Sequence, residues 1–211
     1  MNAARRFARI ATTAGLTAVL VTAGMGGATA VSTPHGFAQT GSLRASAITD
    51  WTPITGPPRS ITAKWVDTTD KPSGITVKLP GKAETAKSSL TLDSKTVEMR
   101  LYKVEAEKKR LLFEVADTSG IDAKSGLDPA IRGVAVPLSG TVTSNRSLTV
   151  DGRPARDGRI TFTSDGVKSV VLVRAIATDS HMVLLAAAGP AANEKDVNQL
   201  YQHLTSSLHI P

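Results

Sequence analysis

The chain has 211 residues, of which 41% are hydrophobic and 4% aromatic, and it carries a formal net charge of +7. It contains no cysteine, which excludes disulfide bonds, thiolate catalysis and cysteine-based metal sites. The basic residues are spread along the chain and aromatic side chains are scarce, so the composition argues against nucleic acid as a partner. We expect one compact domain that is a monomer and uses neither a cofactor nor a metal ion.

The first thirty residues have the three parts of an export signal. Arginines at positions 5, 6 and 9 precede an apolar run over residues 10–23, and Ala28–Ala30 supplies the small residues of a cleavage site. We predict a signal peptide at 1–30 that is cleaved after Ala30. The apolar run is shorter than the ~20 residues that span a membrane, which favours cleavage over a permanent anchor. The arginine pair leaves export through the twin-arginine route open.

Residues 31–60 are rich in Thr, Ser, Gly and Pro and lack a sustained period, which predicts a flexible leader before a single domain at 61–211. Val31 stands at the position where a lipoprotein would carry its lipid-accepting cysteine. We therefore expect a secreted protein that is at most loosely associated with the cell envelope and has no transmembrane span after signal cleavage.

Alternating apolar and polar residues predict several strands. The alternation is clear at Ile75–Leu79, and the runs at 97–105 and 111–117 have the spacing of a hairpin, with Glu114 on the opposite side from Phe113. The two apolar runs at 167–177 and 182–188 are typical of central strands that are covered on both faces. Further strands are predicted at 141–150 and 159–163, and turns at 151–154, 164–166 and 178–181.

Two helices complete the predicted fold. Asp128 and Pro129 can open a short helix, with Ile131, Val134 and Ala135 as its buried stripe. A longer helix begins at Asn193 as its N-cap, and its apolar stripe is Val197, Leu200, Tyr201, Leu204 and Leu208. We predict an α+β domain with a mostly antiparallel twisted sheet of about six or seven strands, covered by the C-terminal helix and the shorter mid-chain helix.

The order of these segments resembles the PsbP-like superfamily, and within it the exported actinobacterial proteins of the LpqN/LpqT type. The resemblance covers residues 61–209 and includes the strand end Val77–Gly81, the sequence Gly152–Ala155 and the helix end Leu204–Leu208. It implies a non-catalytic accessory or binding role, since the superfamily includes an extrinsic photosystem subunit and a nuclear-import factor. LpqN/LpqT proteins are lipoproteins, whereas this chain lacks the cysteine that would accept lipid.

Catalytic motifs are missing from the sequence. It contains no Gly-x-Ser-x-Gly elbow, no Ser-x-x-Lys pair and no phosphate-binding glycine loop. The histidines at positions 35, 181, 203 and 209 do not have the spacing of helical zinc ligands. Asp179, Ser180 and His181 have the residue types of an acyl-transfer triad, but neighbours in a strand point to opposite faces, so we interpret them as a polar hairpin turn. We expect no enzymatic activity.

One group of charged residues is a candidate binding site. Arg153, Arg156 and Arg159 are predicted to surround a turn, where three guanidinium groups can bind phosphate or carboxylate groups of an anionic envelope lipid or polymer. The alternative is a solvated turn whose arginines pair with Asp151 and Asp157.

Three functions remain open from the sequence. The favoured one is a secreted, non-enzymatic binding or accessory domain that recognises a protein or an anionic cell-envelope component. The alternatives are a secreted hydrolase whose active site is assembled across the fold, and a carrier of a small apolar ligand beneath Leu200 and Leu204.

Overall fold

The computed structural model of the protein describes residues 64–92, 95–106 and 108–211. The predicted signal peptide at 1–30, with its cleavage after Ala30, and the predicted leader at 31–60 lie outside the described residues. Within the described part of the chain, none of the helices has the length and apolar character needed to cross a membrane.

Nine strands and two helices make up the regular structure of the described residues. A single turn of 3-10 helix at Ala191–Asn193 leads into the second helix. The elements in chain order are β1 (Trp65–Thr69), β2 (Thr76–Pro80), β3 (Glu84–Leu92), β4 (Lys95–Ala106), β5 (Lys109–Asp117), α1 (Leu127–Ala135), β6 (Thr141–Val150), β7 (Arg153–Ser164), β8 (Val167–Ala177), β9 (His181–Pro190) and α2 (Glu194–Ser206).

Seven strands form one antiparallel sheet in the order β3-β4-β5-β9-β8-β7-β6, and β1 pairs with β2 in a separate antiparallel hairpin. The predicted α+β class is confirmed, together with the predicted sheet and both helices. The sequence reasoning missed β1 and β3. Strand β3 reads ETAKSSLTL and lies at the sheet edge, so it lacks the apolar alternation that identifies a half-buried strand.

The sheet has an apolar layer on each face because its central strands are apolar on both sides. On the α1 face, residues of β7, β8 and β9 form one cluster with α1, and Ile160, Val173 and Ile131 are all fully buried in it. On the α2 face, Phe113 and Leu185 form a second cluster with residues of β2 and α2. Helix α1 contacts β6, β7 and β8, whereas α2 contacts β9, β8, β5 and β2.

The β1–β2 hairpin is attached to the sheet by a buried ion pair. Arg100 of β4 donates from Nε and Nη2 to the carboxylate of Asp70, at 2.7 and 3.2 Å. Tyr102 and Ser73 donate to the same carboxylate through their hydroxyl groups, at 2.9 and 2.6 Å. Burial by itself would raise the pKa of Asp70, but these hydrogen bonds outweigh it and hold that pKa below its ordinary value.

Helix α1 confirms the predicted buried stripe but not the predicted cap. Its N-cap is Gly126, and Asp128 lies inside the first turn, where it accepts a 2.6 Å hydrogen bond from Arg132 one turn later. The helix lies close to β7 because Gly158 has no side chain: a Cβ atom there would come within 2.5 Å of Ile131 Cγ2.

Helix α2 begins where predicted, with Asn193 at the N-cap position, although the Asn193 side chain makes no capping hydrogen bond. Glu194 and Asp196 lie in its first turn, where carboxylates interact favourably with the helix dipole. Val197, Leu200, Tyr201 and Leu204 are buried as the apolar stripe predicts, and Leu208 lies beyond the end of the helix.

Candidate functional site

The predicted binding residues Arg153, Arg156 and Arg159 lie along β7 rather than around a turn. Strand β7 begins at Arg153, directly after the two-residue turn formed by Asp151 and Gly152, both of which have positive φ. Side chains alternate between the two faces of a strand. Arg153 and Arg159 therefore lie on the α2 face and Arg156 on the α1 face, so the sheet does not bring the three guanidinium groups together.

Arg156 connects β7 to α1. Its Nη1 donates to Asn145 Oδ1 of β6 at 3.0 Å and lies 3.6 Å from Asp128 Oδ1. Asn145 Nδ2 in turn donates to the same Asp128 oxygen at 2.6 Å. This network joins α1, β6 and β7, which gives Arg156 a structural role.

Arg159 connects β7 to the start of α2. Its Nε and Nη2 each donate to the Glu194 carboxylate at 2.7 Å, and Nη1 donates to Thr143 Oγ1 at 2.9 Å. The guanidinium group of Arg159 lowers the pKa of Glu194. Because the bidentate pair uses two of its nitrogens and the third is bound to Thr143, Arg159 has little capacity left for a ligand.

Arg153 is bound much more weakly than its two neighbours. Its guanidinium donates only to the backbone oxygens of Asp151 and Pro211, at 3.4 and 3.3 Å. Asp157, a predicted alternative partner of these arginines, instead accepts two hydrogen bonds from Arg174 at 2.7 and 2.8 Å. Among the described residues, no Asp or Glu side chain lies within ion-pair distance of Arg153.

Most other arginines in the described residues are paired with an Asp or Glu side chain. Only Arg146 and Arg153 have no such partner within this part of the chain, and Arg146 lies on the exposed edge strand β6. The paired ones are Arg100, Arg110, Arg132, Arg156, Arg159 and Arg174. Arg153 is thus a partly exposed guanidinium group without an Asp or Glu partner in the described part of the chain.

Arg153 lines a cleft of about 370 Å³ at one end of the sheet. The cleft lies where β7 begins and where β8 turns into β9, and the 70–75 turn and the last residues of the chain form its remaining walls. Its polar lining includes Ser73, Arg153, Asp179, Ser180 and His181. A cleft of this size with several converging polar groups has the dimensions of a small-ligand site.

The β8–β9 turn is held rigid by Thr178. Its amide donates to the His181 backbone oxygen at 2.8 Å, and its Oγ1 accepts from the His181 amide at 2.9 Å. These bonds confirm the predicted hairpin turn and fix one wall of the cleft. The opposite wall is fixed by the buried Asp70, which binds the cleft residue Ser73.

One expectation about this turn is wrong. Ser180 and His181 do converge, since Ser180 Oγ lies 2.9 Å from His181 Nδ1. Ser180 belongs to the turn and not to β9, so strand alternation does not separate the two side chains. Asp117 is the cross-strand neighbour of His181, but its Oδ1 accepts hydrogen bonds from the Ser119 hydroxyl and amide, and these lower its pKa.

This arrangement is not that of a serine hydrolase. In the triad, serine binds Nε2 of histidine and the carboxylate holds Nδ1. Here Ser180 occupies Nδ1 of His181, and Asp117 is engaged with Ser119. Within the described residues, no group of three or more metal-ligating side chains is placed to hold a metal ion.

Sequence reasoning identified Arg153 but missed its surroundings. The polar run at 178–181 between two apolar strands was a signal for a turn, but not for a cleft wall. The contact of Arg153 with Pro211 joins two parts of the chain that are distant in sequence. Only the antiparallel register of β7, β8 and β9 brings these parts together.

Comparison with known proteins shows a likeness of fold. No protein family model and no curated protein sequence matches the chain. Among solved structures, the PsbP protein of Synechocystis sp. PCC 6803 (CyanoP) is 11% identical over 74% of this chain and 99% of its own, with a TM-score of 0.51. LpqN, involved in cell envelope biogenesis of Mycobacterium tuberculosis, is 15% identical over 74% of this chain and 100% of its own, with a TM-score of 0.44.

A third similar structure is the immunity protein TplEi of Pseudomonas aeruginosa, 10% identical over 74% of this chain and 79% of its own, with a TM-score of 0.39. At these identities the comparison concerns architecture and not function. The resemblance predicted from the sequence is confirmed at that level: the chain has a PsbP-like fold.

Proposed function

We propose that the chain is an exported, non-enzymatic binding domain that recognises an anionic group on a protein or cell-envelope component through the cleft at Arg153. The observation that carries this proposal is the state of the Arg153 guanidinium group, which lines the cleft and has no Asp or Glu partner among the described residues. The paired states of Arg156 and Arg159 assign those residues to the framework instead.

The chemistry of arginine supports an anionic ligand. A guanidinium group forms two parallel, charge-assisted hydrogen bonds with a carboxylate or phosphate, and these bonds are roughly twice as strong as those to neutral acceptors. The present acceptors of Arg153 are backbone oxygens at 3.3 and 3.4 Å, both longer than a charge-assisted hydrogen bond. An oxyanion that enters the cleft therefore replaces weak contacts with strong ones.

The two opposite charges in the cleft lining also limit which ligands can bind. Asp179 lies in its lining and carries the opposite charge to Arg153. A ligand must therefore place its anionic group on the Arg153 side, while its hydroxyl or amine groups can face Asp179. This arrangement favours a discrete, polar, anionic group over an acyl chain.

The test is a titration with three probes: inorganic phosphate, poly(glycerol phosphate) and polyglutamate. Binding is measured by calorimetry and by amide chemical shifts. We expect at least one probe to bind, to shift the amides of the 178–181 turn, and to bind more weakly as salt is added. The three probes distinguish a phosphate monoester, a phosphodiester polymer and a carboxylate polymer as the source of the oxyanion.

Arg153→Ala is expected to abolish this binding. Arg146→Ala is the matched control, because it removes the same charge from an exposed position on β6 outside the cleft. Equal binding by the Arg153→Ala protein and the unaltered protein, or no binding of any probe, would overturn the proposal.

Export is part of the proposal and has a test of its own. Mass spectrometry of the protein from the culture medium of the source organism is expected to find a chain that begins at Val31. The intact chain, recovered from the cytosol and still carrying the signal sequence, would contradict export but not ligand binding.

The hydrolase alternative rests on the 2.9 Å contact between Ser180 Oγ and His181 Nδ1. A fluorophosphonate probe labels activated serines, so it tests this alternative directly. We expect no labelling of Ser180. Labelling that is lost in His181→Ala would establish an activated nucleophile and favour the hydrolase.

The carrier alternative has less support, since Leu200 and Leu204 are buried in the same apolar cluster as Val77 and Leu185.

A further inference from the structure

Strand β6 is an open edge of the main sheet. Among the described strands it pairs with β7 alone, and none of its ten residues is buried. Natural proteins guard such edges with lysine, proline or a bulge. The opposite edge strand, β3, carries Lys87 near its middle, whereas β6 contains neither lysine nor proline. A bulge at Thr143 interrupts the start of β6, so its regular, unguarded part is Ser144–Val150.

The β6–β7 turn determines which backbone groups of this edge point outward. The turn consists of residues 151–152, both with positive φ, so Val150 and Arg153 flank it as a hydrogen-bonded pair. Hydrogen-bonded and non-hydrogen-bonded pairs alternate along an antiparallel ladder. Pro154, which has no amide hydrogen, accordingly occupies the next, non-hydrogen-bonded pair. The backbone groups that point away from β7 are those of Asn145, Ser147 and Thr149.

Arg146 gives this edge a positive charge. Its side chain is exposed and has no Asp or Glu partner in the described part of the chain. Its cross-strand neighbour Asp157 is bound instead by Arg174, at 2.7 and 2.8 Å, and by Tyr201, at 2.9 Å. On the outer side of β6, Arg146 lies at a non-hydrogen-bonded position, where facing Cα atoms are about 4.5 Å apart. A carboxylate on an added strand would therefore meet Arg146 directly.

The other side chains of the edge define the rest of the partner. Leu148 and Val150 lie on the same face as Arg146 and are partly buried against the apolar cluster beneath α2. Ser147 and Thr149 are exposed on the other face. Side chains of an added strand alternate in the same way. An antiparallel partner therefore carries two apolar residues and then an acidic one at every second position, with polar residues between them.

A second copy of β6 does not meet these requirements. The register that pairs all of Ser144–Val150 with itself is symmetric about Ser147. It puts the two Arg146 side chains at diagonal positions on one face, about 7–8 Å apart. Like charges oppose pairing there, and no carboxylate of β6 offsets them. Charge complementarity thus favours an acidic partner over self-association.

We propose that β6 is a docking site for an extended, acidic peptide segment of another protein, which adds to the sheet as a further antiparallel strand. Backbone hydrogen bonds to the outward groups supply affinity, and Arg146 supplies the preference for an acidic residue. The site lies outside the Arg153 cleft and is independent of the function proposed there.

The probe is the capped heptapeptide Val-Thr-Val-Thr-Glu-Thr-Ser, compared with versions that carry Gln or Lys in place of Glu. Each is added to the full chain, and amide hydrogen exchange is followed by nuclear magnetic resonance. We expect the Glu peptide to protect the three outward amides, whereas the amides between them are already bonded to β7. The Glu peptide is expected to bind roughly 2- to 5-fold more tightly than the Gln peptide, and the Lys peptide more weakly than either.

Two substitutions at Ser147 test the backbone contact. Ser147→Pro removes the central outward amide but no hydrogen bond to β7, and it is expected to abolish protection by the peptide. Ser147→Ala keeps the amide and is expected to bind the peptide as the unaltered protein does. The amide shifts of β7 check that Ser147→Pro is folded.

Two substitutions at Arg146 test the charge without altering the backbone. Arg146→Ala is expected to bind the Glu and Gln peptides equally, and Arg146→Glu to prefer the Lys peptide. Equal binding of the Glu and Gln peptides by the unaltered protein would overturn the acidic partner. A lack of protection at all three outward amides in millimolar peptide would overturn the docking site.

Self-association and the cleft are tested separately. A dimer seen by analytical ultracentrifugation without peptide, and lost in Ser147→Pro, would assign the edge to a second copy and overturn the peptide partner. Phosphate has no backbone to pair with β6, so its binding at the Arg153 cleft is expected to be equal in Ser147→Pro and Ser147→Ala. Failure of the β6 site therefore leaves the proposed function standing, and failure of phosphate binding leaves the β6 site standing.

Discussion

Arg100 of β4 holds Asp70 of the β1–β2 hairpin through two of its nitrogen atoms, although both side chains are almost completely buried. Strand β4 belongs to the main sheet, whereas Asp70 lies directly after the first strand of a separate hairpin. This pair therefore ties the turn of the hairpin, and with it the 70–75 wall of the cleft, to the main sheet, in addition to the packing of β2 against α2.

Asp70→Asn is expected to destabilise the protein by about 3–5 kcal/mol, because it leaves the buried Arg100 guanidinium without its counter-charge. Urea unfolding measures the change. Asp67→Asn is the control: Asp67 pairs with Lys78 on the surface, so its loss is expected to cost about 0–1 kcal/mol. Similar losses for the two variants would contradict the role given to the buried pair.

The same pair predicts a loss of stability in acid. The pKa of Asp70 is lowered in the folded protein, so its contribution is complete above the unfolded-state pKa of about 3.9 and is lost as the pH falls through the folded-state value. In Asp70→Asn this part of the acid dependence is expected to be missing.

Glu114 predicts a pH dependence of opposite sign. It lies on β5 between Leu101 and Leu184, its cross-strand neighbours, and its Oε2 has no hydrogen-bond partner in the described structure. Burial raises its pKa to about 7. Since the folded state holds this proton more tightly than the unfolded state, the contribution of Glu114 to stability is greatest below the unfolded-state pKa of about 4.3 and declines as the pH rises towards 7.

Glu114→Gln removes this titration. The free energy of unfolding of the unaltered protein is expected to fall by roughly 3 kcal/mol more than that of Glu114→Gln between pH 4.5 and pH 8. Urea unfolding at several pH values checks it. Parallel pH profiles for the two proteins would show that Glu114 does not titrate in this range.

Gly158→Ala is expected to destabilise the protein by about 1–3 kcal/mol through overpacking. A Cβ atom at this position would lie 2.5 Å from Ile131 Cγ2 and 3.0 Å from Val173 Cγ1, so α1 must move away from β7. In the Ile131→Ala background the same substitution is expected to cost less, because the clashing methyl group is gone. Equal costs in the two backgrounds would argue against this contact.

Arg156→Ala and Arg159→Ala are expected to leave phosphate binding unchanged and to lower stability by about 0–1 kcal/mol each, since their ion pairs are partly exposed to solvent. Thermal unfolding and phosphate titration measure the two effects separately. A loss of phosphate binding in either variant would restore the three-arginine site that the sequence suggested.

The sequence predicted the strands of the sheet well where buried positions require apolar residues. Strands β8 and β9 are apolar on both faces, and β2 alternates, so their positions follow from periodicity alone. The edge strand β3 is polar and short of apolar positions, so no period identifies it. Helix α1 was found from its buried stripe, but Asp128 bonds Arg132 and Asn145 instead of the helix amides.

The candidate site was only partly predictable, because it depends on strand direction. Three arginines within seven residues suggested one cluster around the predicted turn at 151–154, with a strand that begins only at Arg159. The strand begins earlier, at Arg153, so alternation separates Arg156 from the other two. The contact between Ser180 and His181 was also not predicted. Strand alternation was expected to separate the two side chains, but Ser180 lies just outside β9.

Strand β7 holds a helix on each side of the sheet, with Arg156 reaching α1 and Arg159 reaching α2. A disturbance of this strand therefore reaches both outer layers, through Arg156 on one face and Arg159 on the other. We therefore expect a disturbance of β7 to raise hydrogen exchange in both helices together.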